Sequence, residues 1–412
     1  MLPSLLLYVF PYLVNMRLAI FAAIVLVPAA YAQNISSVTD ALNAFGLSSF
    51  VQATGVLDNS TSGKALLNGL VQGNNWTIFA PSNDAFSKAP PSLSSDPNLL
   101  VATLAYHVLP GSFASDNSST PTLYSATSPN HTIARTMMND SSYVNLQGAS
   151  QVLVWTSQEG QVTILNQPTA VSILNSTHVS TSNSSGIDVY AISSVLGFPS
   201  SSSSVIANNG NLTSLAGLLN NAMIQSANGT NDTLANVLDQ QKGVTVFAPT
   251  DGALQGAPLP SLSTAWEGND QSKVINLLQN HILNGSSVYS TEVYNGLNTT
   301  SAAGEPTTFT TNSSGAFVNS GGTTAKILQT DVISSNGVVH VIDSVLLNTN
   351  ADPAAASSAY ASATSAAATQ TGAIGAASTD VSSSTSNAQS SSGGRTRWTC
   401  YSSFSCSFLR CS

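Results

Sequence analysis

The side chains that could move protons or hold a metal are few, and their spacing narrows what they do. Five histidines occur, at positions 107, 131, 178, 281 and 340. His107 and His281 take matching places in two similar stretches, each on an apolar stripe of helical spacing. A histidine so placed can be a metal ligand or general base, or it can bond to backbone and fix a helix against a sheet. No second His, Cys or carboxylate stands at ligand spacing from either ring, so the second role is expected, with no metal and no cofactor. His131, inside an Asn-x-Thr triplet, and His178 read as loop residues. Asp84 and Asp251 follow the Ala-Pro pairs that end at Pro81 and Pro249. A glycosidase would need a second carboxyl facing the same cleft; in the first turn of a short helix, each acid would instead complement the helix dipole. Asp343, beside the last β-run, reads as an edge or turn residue. No G-x-S-x-G elbow, phosphate-binding glycine loop, H-E-x-x-H or calcium loop occurs. All three cysteines (Cys400, Cys406, Cys411) lie at the C-terminal end. No enzyme is expected.

The elements that must position these residues occur twice. Thr77-Ile-Phe-Ala-Pro-Ser-Asn-Asp-Ala-Phe86 returns as Thr245-Val-Phe-Ala-Pro-Thr-Asp-Gly-Ala-Leu254. Tyr106-His-Val-Leu-Pro-Gly-Ser112 returns as Asn280-His-Ile-Leu-Asn-Gly-Ser286, and Val189-Tyr-Ala-Ile-Ser-Ser-Val-Leu196 as Val339-His-Val-Ile-Asp-Ser-Val-Leu346. Blocks this long and this far apart predict two domains, each with its own core. In each first block a β-prone run stops at proline, and Ser82 or Thr250 suits a helix N-cap. Asp96-Pro97 pairs a capping acid with proline at the first helical position, and Leu100, Leu104 and Val108 follow at helical spacing. Val274, Leu277, Leu278, His281 and Ile282 form the matching stripe. Val38, Leu42 and Phe45, and Leu212, Leu215 and Leu219, open the two copies as helices. Residues 151–155, 162–165 and the last blocks read as strands. Helices followed by strands predict an α+β fold, with helices on one side of a β-sandwich or barrel-like sheet.

These blocks resemble the fasciclin domain family over about residues 34–349. The family carries T-[IV]-F-A-P-[ST]-[ND]-x-A-F, a central Y-H-[IV]-[LV] segment and a closing N-G-x-[IV]-H-x-I-D-x-V-L block. The chain supplies the first at Thr77–Phe86 and Thr245–Leu254, and the second at Tyr106–Leu109 and partly at His281–Leu283. It supplies the third at Asn336–Leu347 and weakly at Gly186–Leu196. The resemblance implies wedge-shaped α+β domains that serve cell adhesion or association with matrix or wall. It also marks Tyr106, His107, His281, His340, Asp343, Pro81, Pro249, Asp84 and Asp251 as motif positions. The copies depart from the pattern where Asn280 replaces the tyrosine, Tyr190 the later histidine and Ser193 the aspartate.

Composition sets the surroundings. Charged residues are 7% of the chain and the net charge is −9. Six basic side chains are scattered over residues 33–350, which excludes a phosphate backbone as partner. Residues 16–32 have the charged start, apolar core and Ala-x-Ala end of an export signal, so residues 1–32 are expected to be removed, with Met16 an alternative start. Fourteen N-glycosylation triplets follow, at Asn34, Asn59, Asn75, Asn117, Asn130, Asn139, Asn175, Asn183, Asn211, Asn228, Asn231, Asn284, Asn298 and Asn312. Asn75, just before a strand, is expected to stay bare. The organisation expected is domain one over 33–198, a Ser/Asn-rich linker over 199–210, domain two over 211–349, and a disordered Ser/Ala/Thr stalk over 350–412. A stalk of this kind suits a lipid anchor, but residues 394–412 carry arginines and cysteines instead of an apolar run. A splice or frame change, or a wall protein held without lipid, are the two readings. The partners expected are surface, wall or matrix components, protein or polysaccharide, outside the cell, with a membrane met only through such an anchor. The alternatives are an extracellular binder of a polysaccharide or small apolar ligand, and a carboxylate-dependent glycan-acting enzyme.

Overall fold

The computed structural model describes residues 38–57, 63–64, 67, 74–116, 118–127, 131–180, 186–225, 229–257 and 271–367. The expected export signal, the residues beyond 367, and Asn34, Asn59, Asn117, Asn130, Asn183 and Asn228 lie outside them.

In the first domain a helix over 38–44 precedes α1 (Ser48–Thr54), β1 (Trp76–Pro81), α2 (Asn83–Ser87), α3 (Pro91–Ser95) and α4 (Pro97–Tyr106). Strands β2 (Val108–Pro110), β3 (Thr132–Arg135), β4 (Val152–Gln158), β5 (Gln161–Ile164), β6 (Val171–Ser180) and β7 (Gly186–Ile192) follow. The second domain runs α5 (Ser202–Ala207), α6 (Thr213–Asn221), β8 (Met223–Gln225), β9 (Asn231–Thr233) and α7 (Leu234–Gln240). It continues with β10 (Val244–Pro249), α8 (Asp251–Gly256), α9 (Gln271–Gln279), β11 (Ile282–Asn284), β12 (Asn298–Thr300), β13 (Pro306–Asn312), β14 (Gly315–Ser320), β15 (Thr323–Ser334) and β16 (Gly337–Ile342). A last helix, α10, spans Pro353–Ala367.

Both domains use one topology. The sheet orders are β2-β1-β7-β6-β5-β4-β3 and β11-β10-β16-β15-β14-β13-β12. β1 and β10 run parallel to β7 and β16, with Pro81 opposite Ile192 and Pro249 opposite Ile342 in the last pairs. Proline fits there because β2 and β11 pair only with the first three residues of β1 and β10, so its missing N–H faces no neighbouring strand. The turn that follows is capped as the sequence predicts: Ser82 Oγ accepts the Ala85 N–H and Thr250 Oγ1 the Ala253 N–H, both at 3.1 Å.

Alternation along β1 and β7 divides the first core in two. Ile78, Ala80, Val189 and Ala191 face the helices, with Phe50, Leu100 and Leu104. Phe79, Tyr190 and Ile192 face the other way, into a cluster with Trp155 and Ile164. Phe79 on β1 meets Trp155 on β4 with ring centroids 5.7 Å apart, although three strands separate them in sheet order. The sheet therefore rolls over on itself and encloses a core, with helices packed on the outer face. The second domain repeats this with Val246, Val339 and Leu278 on the helix side and Phe247, Phe309 and Ile342 inside.

Four local expectations change. His178, read as a loop residue, lies in β6 opposite Asp188 of β7. α4 ends at Tyr106 and α9 at Gln279, so His107 and His281 lie just past the helices and Val108 and Ile282 begin strands. The stretch 199–210 holds a helix, α5, rather than only a linker; Ile206 is fully buried in the second core and Ser202 donates its hydroxyl to Asn336 Oδ1 at 2.7 Å. Residues 353–367, read as the start of a disordered stalk, are helical because the second domain is shaped to receive them. A Cβ on Gly304 would lie 1.8 Å from Asp352 O, and one on Gly285 would lie 2.9 Å from the Tyr360 ring. Both glycines also have positive φ, +92° and +80°.

Candidate functional site

The two matched histidines are buried to within a few per cent. His107 Nδ1–H donates to Thr103 O at 2.7 Å, and its Nε2 accepts the Leu196 N–H at 3.0 Å. His281 does the same with Leu277 O at 2.8 Å and the Leu346 N–H at 3.0 Å. Each ring ties the end of a helix to the chain that leaves the last strand. Burial lowers both pKa values to about 4, against a smaller raising effect of the carbonyl bond. A neutral ring with both nitrogens bonded to backbone has no site left for substrate or metal.

His340 is also fully buried, in the opposite tautomer: Nε2–H donates to Val288 O at 2.8 Å and Nδ1 accepts the Asp331 N–H at 3.3 Å. It stacks on Phe247 at 5.9 Å, as Tyr190 packs on Phe79 at 5.8 Å in the first domain. Burial lowers its pKa, outweighing the nearby Asp331 charge. Tyr106 is 1% exposed and donates to Val152 O at 3.3 Å, so the Tyr106-His107 pair offers no outer surface to a partner. Asn280 is buried as well, and donates to Asn348 O and Asn350 O at 3.0 Å each. The Tyr-to-Asn departure thus clamps the segment leading into α10.

The acids hold structure. Asp84 sits in the first turn of α2 and pairs with Lys88 at 2.6 Å, out in solvent. Asp251, in the first turn of α8, accepts from the Thr213 hydroxyl and the Ser214 N–H, which hold its pKa down. Asp343 accepts the Lys326 N–H at 2.8 Å, and Ser193 accepts the Ser172 N–H at 3.1 Å in the same role. Two buried carboxylates each lie between a serine and a histidine: Asp188 with Ser112 at 2.5 Å and His178 at 2.8 Å, and Asp331 with Ser290 and His131. Nucleophilic catalysis needs the imidazole between serine and acid. Here the acid is central, so neither ring is placed to take the serine proton. Among the described residues no group of three His, Cys, Asp or Glu side chains is arranged to hold a metal ion.

Asp331 belongs to the junction between the domains, a feature that residue types and spacing did not point to. A bulge in β15 sets Thr330 and Asp331 opposite His340 alone, with Asp331 at φ +56°. Its carboxylate accepts His131 Nδ1–H at 2.8 Å and the Ser290 N–H at 2.8 Å, and its carbonyl accepts from Asn166 at 2.8 Å. Burial pushes the carboxyl pKa up, but His131, His340 and Ser290 together outweigh it and leave it lowered. Gln151 donates to Ser334 O at 3.1 Å and Gln147 to Lys242 O at 2.9 Å. Tyr289, 1% exposed, packs among Ile133, Val152 and Val154 of the first domain. The one signal in the sequence is an acid inside an otherwise β-prone run.

Beside this junction lies a cleft of about 450 Å³ lined by both domains and by α10. Arg135, Leu146 and Ala149 come from the first domain, Ser287, Tyr289, Glu292, Tyr294 and Leu297 from the second, and Ala363 and Ala366 from the helix. The hydroxyls of Ser287 and Tyr289 are buried beside one another and closed off from solvent. Burial raises the Glu292 carboxyl pKa, opposed by the bond from the Tyr289 N–H and by the Arg135 charge.

Six of the described glycosylation triplets carry an exposed asparagine, at 139, 175, 211, 231, 298 and 312. Asn75 is half-buried and accepts the Gly186 N–H at 2.8 Å, and Asn284 is half-buried with its Oδ1 unpartnered.

The fasciclin domain profile matches residues 46–196 and 210–348, and the chain belongs to that family as a tandem pair. Protein sll1483 of Synechocystis sp. (strain ATCC 27184 / PCC 6803 / Kazusa) is 32% identical over 114 residues, 28% of this chain and 60% of that protein's length. Among solved structures, the FAS1 domain pair from the insect cell adhesion molecule Fasciclin I is similar at 17% identity and a TM-score of 0.33, over 74% of this chain and 97% of that one. Fasciclin domains are typical of extracellular or surface-associated proteins that bind surface or matrix components, and the family is generally non-enzymatic.

Proposed function

We propose that this chain is a secreted glycoprotein that holds a cell or its wall to surface and matrix components, through two fasciclin domains acting as one unit and without catalysis. The observation that supports it most is where the ionisable groups go: His107, His281 and His340 are neutral, buried and bonded to backbone. Asp188 and Asp331 are buried in bonds that hold strands or domains together. What faces outward is a charge-poor surface with sequons spread over both domains. Such a surface binds through hydroxyl and apolar contacts, and linking two domains raises avidity over either alone. The test is retention under flow of beads coated with the secreted protein, on the wall or matrix of the producing cell. Retention several-fold above uncoated beads is expected; beads that wash off equally would refute the reading.

A further inference from the structure

We propose that the interdomain cleft binds a neutral saccharide, with the ring of Tyr294 as its platform and the Arg135 and Glu292 side chains that line it reading the sugar's hydroxyl groups. This deepens the matrix-association reading and rests on it for its biological sense, though not for its geometry.

The volume, about 450 Å³, falls inside the roughly 300–1,000 Å³ usual for small-ligand sites. A guanidinium only donates and an ionised carboxylate only accepts; Arg135 and Glu292 together suit a hydroxyl, which does both. One charge of each sign leaves the cleft without a net attraction for an ion. The whole chain, at −9, repels acidic polysaccharides. Tyr294 is 59% exposed, the largest exposure among the large hydrophobic side chains of the described residues. It lies on the same wall as Leu297. An aromatic ring with an apolar face and a polar tip suits the C–H face of a sugar. The α10 wall is built of alanines, Ala363 and Ala366, which leave room that larger side chains would fill.

Isothermal titration of the secreted chain tests this, using neutral gluco-, manno- and N-acetylglucosamine trisaccharides and a glucuronate-containing trisaccharide. At least one neutral trisaccharide is expected to bind, one per chain, because both domains together line the cleft. Tyr294→Ala should weaken binding at least tenfold with unfolding unchanged, since the ring is largely in solvent. Ala366→Trp, which fills the cleft, should abolish it. No binding of any neutral probe at millimolar concentration, preference for the acidic probe, two sites per chain, or parental binding by both variants would each overturn the proposal. Bead retention measured on the same samples separates the two ideas. Retention without saccharide binding removes the cleft and leaves adhesion standing; saccharide binding at the cleft without retention does the reverse.

Discussion

Tyr190 and His340 occupy one position in two related cores, and their hydrogen bonding differs. The His340 ring satisfies both nitrogens, whereas the Tyr190 hydroxyl is buried without a partner. A buried unpaired hydroxyl costs about 1–3 kcal/mol. Tyr190→Phe keeps the ring packing on Phe79 and removes that cost. We expect it to raise stability by about 1 kcal/mol in urea unfolding followed by tryptophan fluorescence. A clear loss of stability would mean that the hydroxyl bonds to an ordered water. Glycan attachment is decided at the same scale. A sugar needs an asparagine side chain in solvent. Site-resolved mass spectrometry of the secreted protein is expected to find sugar at Asn139, Asn175, Asn211, Asn231, Asn298 and Asn312. It should find Asn75 and Asn284 bare, because both are half-buried and Asn75 is bonded to the Gly186 backbone.

Elements show where the second domain departs from the first. β6 and β15 share a register shift that leaves Leu174 and Leu328 exposed, but only β15 has the further bulge that turns Asp331 toward the first domain. Similarly, only the second copy trades tyrosine for Asn280, which holds residues 348–350 and so starts α10. An Ala/Ser helix has almost no amphipathic pattern, so its docking depends on shape. Gly304→Ala would drive a methyl into Asp352 O at 1.8 Å, at a φ of +92° that disfavours side chains. We expect this substitution to release α10: amide exchange over 353–367 should rise at least tenfold while that of β10 and β16 stays as in the parent. Unchanged protection over 353–367 would show that the helix docks by other contacts. The repeat, the proline-ended strands and the caps were readable in the sequence because each is written in a short run of residues; the histidines were readable from their place on an apolar stripe, although Leu196 and Leu346, which complete two of them, lie 89 and 65 residues away. α5, α10 and the interdomain junction were not. Ser-rich and Ala-rich stretches have no periodic apolar face, and what orders them is a cavity made by residues far away in the chain.

At the scale of the whole molecule, residues 38–367 fall within one compact unit, held across the domain junction by Tyr289, Gln151 and the Asp331 cluster. The same burial that makes its histidines structural makes the molecule sensitive to acid. His107 and His281 have a folded pKa of about 4 against an unfolded value of 6.5. Between those values the unfolded chain binds more protons, so stability is full above pH 6.5 and falls as pH drops toward 4. From pH 7.5 to 5 each ring removes roughly 2 kcal/mol, one ring per domain, since a tenfold difference in proton affinity is worth about 1.4 kcal/mol. His340, lowered by burial, acts in the same direction; Asp331, whose carboxyl is held below its unfolded value of 3.8, adds its loss only below that pH. The urea midpoint should therefore stay flat from pH 8 to 7 and then fall steadily to pH 5. Replacing His107 with Gln should lower stability at pH 7.5 but flatten the slope by about one proton, because the replacement does not titrate. A midpoint unchanged between pH 7.5 and 5, or a slope unaltered by the Gln variant, would mean that these rings are protonated or solvated in the native state, and the backbone-bonded neutral imidazole would have to be abandoned.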